Sequence, residues 1–349
     1  MRYTLFGSSG LRVSELALGT GTFGTGWGWG ADAAESRRIF DGYLAAGGVV
    51  IDCADVYQFG ESETILADLI APERDRLVVS TKFSMGADPS GGPTETGNSR
   101  KTMVQALEAS LRRLRTDRVD VLWVHVADGT TPSEEIVRGF DDLARAGKIL
   151  YAGLSNFPAW RAARAATLAE LRGAVPIAGL QVEYSLVERT AEREFFPLAD
   201  ALGLGLTLWS PLAGGLLTGK QRRGEDGRHS KGGGPVRRED ARTGAVVDTV
   251  VSVAAELGVE PGQVALAWVR YRAEGLPAGA VTILGARTRA QLDENLAAAE
   301  LELDPHVLER LDTVSAVEPG YPHEQIGAAE LQAALRGRVD VAAPRRTVA

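Results

Sequence analysis

The feature that most constrains the fold is a repeating alternation of short apolar runs and amphipathic segments through most of the chain. The apolar runs are continuous, which is typical of parallel strands that are buried on both faces. The predicted strands are 16–18, 49–51, 77–81, 119–124, 149–153, 179–182, 204–209 and 281–284. Eight strand–helix units in a chain of 349 residues predict an α/β protein, a single (β/α)8 TIM barrel.

The segments between the strands have helical periodicity or helix-end signals. Met103, Leu107, Leu111 and Leu114, for example, share one face of a helix. The predicted helices are 32–47, 62–70, 99–114, 133–146, 158–171, 192–202, 244–257, 263–272, 288–298 and 306–315. A doubly wound open sheet is the alternative fold, since it also alternates strands and helices.

Two further segments complete the predicted architecture. Residues 2–6 and 11–13 flank the sequence Gly-Ser-Ser-Gly, which indicates an N-terminal β-hairpin. The longest irregular stretch, 214–240, follows the seventh barrel strand. Its part 224–234 is rich in glycine and charge, so we expect a mobile lid there.

Composition narrows the class of protein. The net charge of -8 and the pI near 5.3 argue against nucleic acid or an anionic membrane as the main partner. A single cysteine allows no intrachain disulfide and no cysteine-based metal site, and no metal is expected. Without a signal-peptide core or a long apolar run, the expected location is the cytoplasm. We expect one domain, residues 1–335, with a frayed tail at 336–349, and a homo-oligomer remains open.

Polar residues follow three neighbouring predicted strands. Asp52 follows the second barrel strand, Lys82 the third and His125 the fourth, and Tyr57 lies in the loop after Asp52. Each has an ordinary structural explanation, such as a solvated lysine or a hydrogen-bonded core histidine. Because catalytic groups of TIM barrels lie at the carboxyl ends of the strands, we expect the four side chains to form one site.

These four groups suit proton transfer to a carbonyl oxygen. Tyrosine has a pKa near 10, and a close ammonium such as Lys82, held by Asp52, is expected to lower it. A neutral His125 could orient the carbonyl by a hydrogen bond. Since no side chain supplies hydride, a nicotinamide cofactor is implied.

The same residues, with Gly-Glu-Ser-Glu at 60–63, resemble the catalytic tetrad and signature of the aldo-keto reductase family. Further segments in family order are Gly-Leu-Ser-Asn at 153–156, Gln-Val-Glu-Tyr-Ser at 181–185, Trp-Ser-Pro-Leu-Ala-Gly-Gly-Leu-Leu-Thr-Gly-Lys at 209–220, and Gly-Ala-Arg-Thr at 285–288. The resemblance covers nearly the whole chain and points to the branch of bacterial reductases and channel β-subunit-like proteins.

The resemblance implies a cofactor site and favours NADPH over NADH. Its predicted members are Gly19, Thr20, Gly21, Asp52, Ser155, Asn156, Gln181, Trp209, Ser210, Pro211, Leu212, Gly214, Lys220, Gly285, Arg287, Gln291 and Asn295. Within this set, Ser155, Asn156 and Gln181 resemble the residues that bind the nicotinamide carboxamide, and Trp209 resembles the aromatic that stacks on the ring. Residues 210–220 resemble the pyrophosphate segment. Arg287 resembles the partner of the adenosine 2′-phosphate, which a guanidinium binds through paired hydrogen bonds.

Other signals are ambiguous or weak. Trp27, Trp29 and Phe59 lie on loops over the expected mouth, where they either line the substrate pocket or pack as a small loop core. The sequence Gly-Thr-Gly-Thr-Phe-Gly at 19–24 matches a dinucleotide fingerprint, but no helix opens directly after it. Cys53 is expected to fill the core.

The expected function is reduction of an aldehyde or ketone by NADPH, with Tyr57 as proton donor. A regulatory subunit that binds NADPH and turns over slowly is an alternative. A Rossmann dehydrogenase is another. Within the enzyme hypothesis, a sugar-ketone or enoyl reductase stays open.

Overall fold

A computed structural model describes residues 1–225, 239–277 and 279–336 of the chain. The hairpin strands are β1 (Tyr3–Leu5) and β2 (Arg12–Ser14), and the others are β3 (Leu16–Gly19), β4 (Val50–Asp52), β5 (Val78–Phe83), β6 (Val119–Val124), β7 (Ile149–Ser155), β8 (Ile177–Glu183), β9 (Gly205–Trp209) and β10 (Ala280–Gly285). Strands β3 to β10 are parallel neighbours in sequence order, and β10 pairs with β3 to close a barrel. The predicted (β/α)8 barrel with an N-terminal hairpin is confirmed, and the open sheet is wrong.

The helices surround the barrel. They are α1 (Ala33–Ala45), α2 (Glu61–Ile70), α3 (Arg100–Leu114), α4 (Ser133–Arg145), α5 (Ala159–Arg172), α6 (Ala191–Leu202), α7 (Ala241–Leu257), α8 (Pro261–Glu274), α9 (Arg289–Ala297), α10 (Pro305–Ser315), α11 (His323–Gly327) and α12 (Ala329–Arg336). Helix α4 illustrates how they pack, since Ile136, Phe140 and Leu143 recur at helical spacing and are buried. Each such side chain stabilises the fold by roughly 1.5–3 kcal/mol when it leaves water.

The hairpin covers the amino-terminal end of the barrel. The Phe6 ring packs edge-on against Trp123, with ring centroids 6.3 Å apart. A Cβ added at Gly179 or Gly205 would lie 2.5 Å or 2.6 Å from the Phe6 ring, so the glycines make room for it. With this end filled, the carboxyl ends of the strands are left to form a site.

The prediction missed α11 and α12, which lie beyond the last predicted helix. In the long stretch after β9, two short 3-10 helices occupy Ala213–Thr218 and Lys220–Arg223. The expected lid, 224–234, lies outside the described residues from 226 onward, as does the expected tail from 337. Among the described helices, none alone has the length and apolarity to cross a membrane; only the pair α7 and α8, bent by 101°, meets that test together.

Candidate active site

The four predicted residues come together at the carboxyl ends of adjacent strands. Asp52 is the last residue of β4, Lys82 lies near the end of β5, and His125 follows β6. Tyr57 opens a short 3-10 turn between β4 and α2. The side chains of Lys82 and Asp52 are almost completely buried, whereas Tyr57 and His125 are half-buried and reach the mouth.

Lys82 is the centre of this group. Its Nζ donates to Asp52 Oδ2 at 2.5 Å, to the Cys53 carbonyl at 2.8 Å and to the Tyr57 hydroxyl at 3.0 Å. Because an ammonium has three donors, these three bonds saturate it and fix its direction. The expected contact between Tyr57 and a carboxylate-held lysine is therefore present.

The pKa of Tyr57 departs from the sequence expectation. Burial of the phenol raises its pKa, and the nearby Lys82 ammonium only partly opposes that rise. Although burial disfavours the charged form of Lys82, the Asp52 carboxylate and Tyr57 keep the pKa of Lys82 above its ordinary value. The phenol thus stays protonated at neutral pH, hydrogen-bonded to an ammonium that stays charged.

The second oxygen of Asp52 has two partners, and the sequence predicted neither of these contacts. Asp52 Oδ1 accepts from Ser80 Oγ at 3.0 Å and from Gln181 Nε2 at 2.9 Å. Ser80 stands two residues before Lys82 in β5, so both side chains point to the same face of the strand. That spacing was the available signal for Ser80. Gln181 was predicted as a cofactor residue, and its amide also orients Asp52.

His125 stands beside the Tyr57 ring, with centroids 5.9 Å apart and ring planes at 82°. Its backbone is held by the Phe83 carbonyl at 2.9 Å and by Asn156 Nδ2, which donates to the His125 carbonyl at 2.9 Å. Burial, with the Lys82 charge, lowers the pKa of His125 to about 3. Its Nδ1 atom is buried and has no partner among the described residues. A pKa this low favours the neutral imidazole at neutral pH.

Together these groups can place a neutral phenol and a neutral imidazole against one oxygen atom of a small molecule. A buried ammonium next to the phenol stabilises negative charge as the phenol loses its proton. This arrangement suits the polarisation and protonation of a carbonyl oxygen.

The loop aromatics pack on one another and on Tyr57. The Trp27 ring lies 6.1 Å from Tyr57, 5.6 Å from Trp29 and 6.4 Å from Phe59, centroid to centroid. Phe59 is 45% exposed, and both tryptophans are partly exposed. The aromatics therefore form a loop cluster that also borders the Tyr57 phenol, so the two alternatives from the sequence are compatible.

The predicted nicotinamide residues lie at the ends of β7, β8 and β9. Ser155 and Gln181 are buried, and Asn156 adopts a left-handed backbone with φ 53°. Trp209 Nε1 donates to Asn156 Oδ1 at 3.3 Å, which links the aromatic to the asparagine. These neighbours border the tetrad because Gln181 also bonds Asp52.

The predicted pyrophosphate segment has an unusual backbone. Ser210, Ala213, Gly214 and Gly215 all have positive φ angles, between 52° and 98°. Three of the N–H groups are used within the segment. Ala213 and Gly214 donate to the carbonyl and the hydroxyl of Ser210 at 2.8 Å and 3.1 Å, and Gly215 donates to the Leu212 carbonyl at 2.9 Å. Gly215 has no atom within 4 Å of an added Cβ, so this backbone is open on that side. Within the rest of the predicted segment, Pro211 is buried, Leu212 packs against the core and Lys220 is half-buried.

The predicted adenosine residues surround the start of α9. Gln291 Oε1 accepts from the Arg287 backbone N–H at 2.9 Å, and Asn295 Nδ2 donates to the Gly285 carbonyl at 3.1 Å. Both side chains hold the loop after β10 in place. The half-buried Arg287 guanidinium has no carboxylate partner in the described parts of the chain, whereas the neighbouring Arg289 pairs with Asp293 at 2.8 Å.

The three predicted cofactor residues at the end of β3 and in the loop after it have different surroundings. A Cβ at Gly19 would lie 2.6 Å from Ile283, so this residue must be small. Thr20 is fully buried, and its hydroxyl donates to the Asp52 carbonyl at 3.1 Å and accepts from Ser62 at 3.0 Å. An added Cβ on Gly21 would contact the Tyr57 ring at 3.7 Å. Of the three predicted residues, Gly21 therefore borders the phenol, while Thr20 supports the strand ends.

Comparison with known proteins shows the family of this chain. A sequence model of the Aldo/keto reductase family matches residues 15–316, which include all eight barrel strands. The chain belongs to this family. The coarse function that follows is that of an aldo/keto reductase-type oxidoreductase acting on carbonyl compounds.

Its relatives have diverse names. YrpG, an uncharacterized oxidoreductase of Bacillus subtilis, is 36% identical to this chain. The aligned region spans 90% of this chain and 96% of YrpG. Norsolorinic acid reductase of Aspergillus flavus is 32% identical over 91% and 82% of the two chains. A probable voltage-gated potassium channel subunit beta of rice is 36% identical over 91% and 98%.

Two further titratable groups of this aldo/keto reductase, one thiol and one carboxyl group, lie close to the tetrad in sequence. Cys53 is fully buried, and burial raises the pKa of its thiol to about 12, which fits a core residue and not a nucleophile. Asp55 is 1% exposed, and neither carboxyl oxygen has a hydrogen-bond partner among the described residues. Burial, and then the charge of Glu63, raise the pKa of Asp55 to about 7. Sequence analysis had no signal for this unpartnered state.

Proposed function

We propose that this protein reduces an aldehyde or ketone to the alcohol with NADPH, and that Tyr57 donates the proton. The observation that carries the proposal is the Lys82 ammonium, which bonds both Asp52 and the Tyr57 hydroxyl at 2.5 Å and 3.0 Å. The half-buried His125 ring beside Tyr57 supports it.

In the proposed mechanism, the carbonyl oxygen binds between the Tyr57 hydroxyl and the His125 imidazole. A bound reduced nicotinamide supplies the hydride, which no side chain can supply. As charge develops on the oxygen, His125 donates a hydrogen bond and Tyr57 transfers its proton. Lys82 stabilises the resulting phenolate. Asp52, fixed by Ser80 and Gln181, keeps Lys82 charged and in place.

The residues around the mouth fit the proposed cofactor. Amide and hydroxyl groups of Ser155, Asn156 and Gln181 suit the carboxamide of a nicotinamide, and Trp209 offers an aromatic face. In the predicted pyrophosphate segment, the open backbone at Gly215 leaves room for a pyrophosphate to approach, since an added Cβ there would meet nothing within 4 Å. Gly285 offers open space in the adenosine region, since an added Cβ there would meet nothing within 4 Å.

Preference for NADPH over NADH rests on Arg287. Its guanidinium has no carboxylate partner among the described residues, so its charge is available to a 2′-phosphate. The proposal includes one domain over residues 1–335, a cytoplasmic setting and a small carbonyl compound as the partner.

A second candidate is a regulatory subunit that binds NADPH and turns over slowly. It is favoured by the rice relative named a probable channel subunit beta, of which this chain covers 98%. The tetrad geometry is compatible with this role, because a slow sensor also needs a reactive site.

A carbonyl panel tests both candidates. Aromatic and aliphatic aldehydes, ketones, a ketose and an enone are assayed with NADPH and with NADH. We expect fast multiple turnover on at least one aldehyde or ketone, with NADPH preferred. Tight NADPH binding with negligible turnover on every compound would contradict the enzyme and support the regulatory subunit. Turnover confined to the ketose or the enone would instead identify a sugar-ketone or enoyl reductase.

A further inference from the structure

Gln58 directly follows the proposed proton donor, and its side chain has no role in the mechanism above. It is 1% exposed and has a left-handed backbone, with φ 52°, and Phe59 follows in the same conformation, with φ 56°. Consecutive non-glycine residues rarely adopt this conformation, and it persists only where the surrounding structure enforces it. The turn after Tyr57 is therefore held by contacts, and Gln58 supplies them.

The Gln58 amide makes three hydrogen bonds, all to the loop between β3 and α1. Its Nε2 donates to the Gly21 carbonyl at 3.0 Å and to the Trp29 carbonyl at 3.2 Å. Its Oε1 accepts from the Trp27 backbone N–H at 2.8 Å. Both donors and the acceptor of the side chain are thus used, and they bind the loop at Gly21 and at the backbone of both tryptophans.

Glu61 holds the outer part of the same loop. One of its carboxylate oxygens accepts from the backbone N–H groups of Thr25 at 2.8 Å and Gly26 at 2.9 Å. A Cβ at Gly26 would lie 2.7 Å from the Gln58 carbonyl, so the loop lies directly on the turn after Tyr57. Thr25 and Gly26 are exposed, so their bonds to Glu61 fasten the loop at the surface, whereas the three bonds of Gln58 are part-buried and would be costlier to lose.

The aromatic face above the phenol depends on these bonds. Trp27 contacts the Tyr57 ring edge-on at 6.1 Å, and Trp29 packs against Trp27 at 5.6 Å. Since Gln58 bonds the backbone at both tryptophans, it fixes their rings relative to the phenol of the preceding residue.

We propose that Gln58 is a positioning residue that sets specificity, because it holds the Trp27–Trp29 face in place for flat aromatic carbonyl substrates. The inference rests on the proposed carbonyl reduction. A flat aromatic ring gains from a rigid aromatic wall, whereas a small aliphatic aldehyde has little surface to place against it.

The test compares Gln58→Met with wild type and with Gln105→Met, the same change at an exposed position on α3. Methionine keeps the length of the side chain but removes the two donors and the carbonyl oxygen. We expect the KM for benzaldehyde to rise by roughly tenfold or more, the scale that lost buried hydrogen bonds produce. For propanal we expect less than about a threefold change in kcat/KM, since that ligand does not need the wall. Gln105→Met should match wild type.

Hydrogen exchange of residues 20–31 gives a readout that does not need activity. In Gln58→Met the amides of this loop should exchange faster than in wild type. Unaltered exchange together with an unaltered benzaldehyde KM would overturn the inference. Equal losses on benzaldehyde and propanal would also overturn it, because that pattern indicates general damage. If wild type reduces no carbonyl, the proposed function fails, and loop exchange alone then decides whether Gln58 holds the loop.

Gln58→Glu serves as a second variant that preserves shape. It retains an oxygen for Trp27 but lacks both N–H donors, and its protonated form regains one donor. Its KM defect for benzaldehyde should therefore shrink as the pH falls, while the wild-type KM does not follow the same course. A defect that is independent of pH would contradict the assignment of the donors to this side chain.

Discussion

The Lys82 ammonium lies 2.5 Å from Asp52 Oδ2, and the two side chains are 0% and 4% exposed. Removing one member of such a pair leaves the other charge buried without its partner. We expect Lys82→Met and Asp52→Asn each to lower the free energy of unfolding by about 3–5 kcal/mol. The double variant should lose less than the sum. Urea denaturation of all four proteins gives this cycle, and strictly additive losses would contradict the coupling.

Tyr57→Phe removes the phenolic hydroxyl and keeps the ring that packs on Trp27 and His125. We expect carbonyl reduction to fall by at least roughly 100-fold, because the proton donor is lost. NADPH affinity, measured by fluorescence titration, should change by less than about threefold, since the residue has no proposed cofactor bond. Near-normal turnover in the variant would exclude Tyr57 as the donor.

Asp55 should make stability depend on pH. Its pKa is raised to about 7, above the ordinary value near 3.9, so the folded state binds the proton more tightly than the unfolded state. The stabilising contribution of Asp55 to the free energy of unfolding is fully present below about pH 4 and is lost as the pH rises to about 7.

Asp55→Asn keeps the shape and cannot ionise, so it escapes this loss. Relative to wild type, the variant should gain stability as the pH rises from about 4 to about 8. Thermal or urea unfolding at both pH values measures the change. A difference between the two proteins that does not vary with pH would show that Asp55 titrates normally.

Arg287 and Arg289 form a matched pair for cofactor choice. Arg289 is already paired with Asp293 at 2.8 Å, whereas Arg287 has no carboxylate partner among the described residues. Arg287→Ala should weaken NADPH binding by roughly 10–100-fold and leave NADH nearly unchanged, because only NADPH carries the 2′-phosphate. Arg289→Ala should affect both cofactors little. If Arg287→Ala weakened NADPH and NADH binding equally, Arg287 would not be the residue that binds the 2′-phosphate.

The sequence predicted the barrel and the proximity of the tetrad because both follow from local patterns. Continuous apolar runs identified buried parallel strands, and parallel strands of a barrel present their carboxyl ends at one edge. Asp52, Lys82 and His125 could therefore be placed together before any contact was known.

The parts that the sequence did not predict depend on tertiary structure. Gln58 and Phe59 carry no glycine-like signal for a left-handed turn, so the bonds from Gln58 to the tryptophan loop were hidden. The spacing of Lys82 and Tyr57 suggested a lowered pKa, but burial of the phenol outweighs the ammonium and raises it. Helices α11 and α12 follow the last predicted helix, outside the strand–helix alternation on which the prediction depended.

The pairing of β3 with β10 has a consequence for how the protein is made. Ala17 pairs with Ile283, which is synthesised more than two hundred residues later. During translation, the edge of β3 that pairs with β10 therefore has no partner. The strands that carry Asp52 and Lys82, and the strand that His125 follows, are complete long before this seam closes. Until then, both unpaired strand edges can add a foreign strand. The nascent chain should therefore need protection from aggregation until the last strand has been translated.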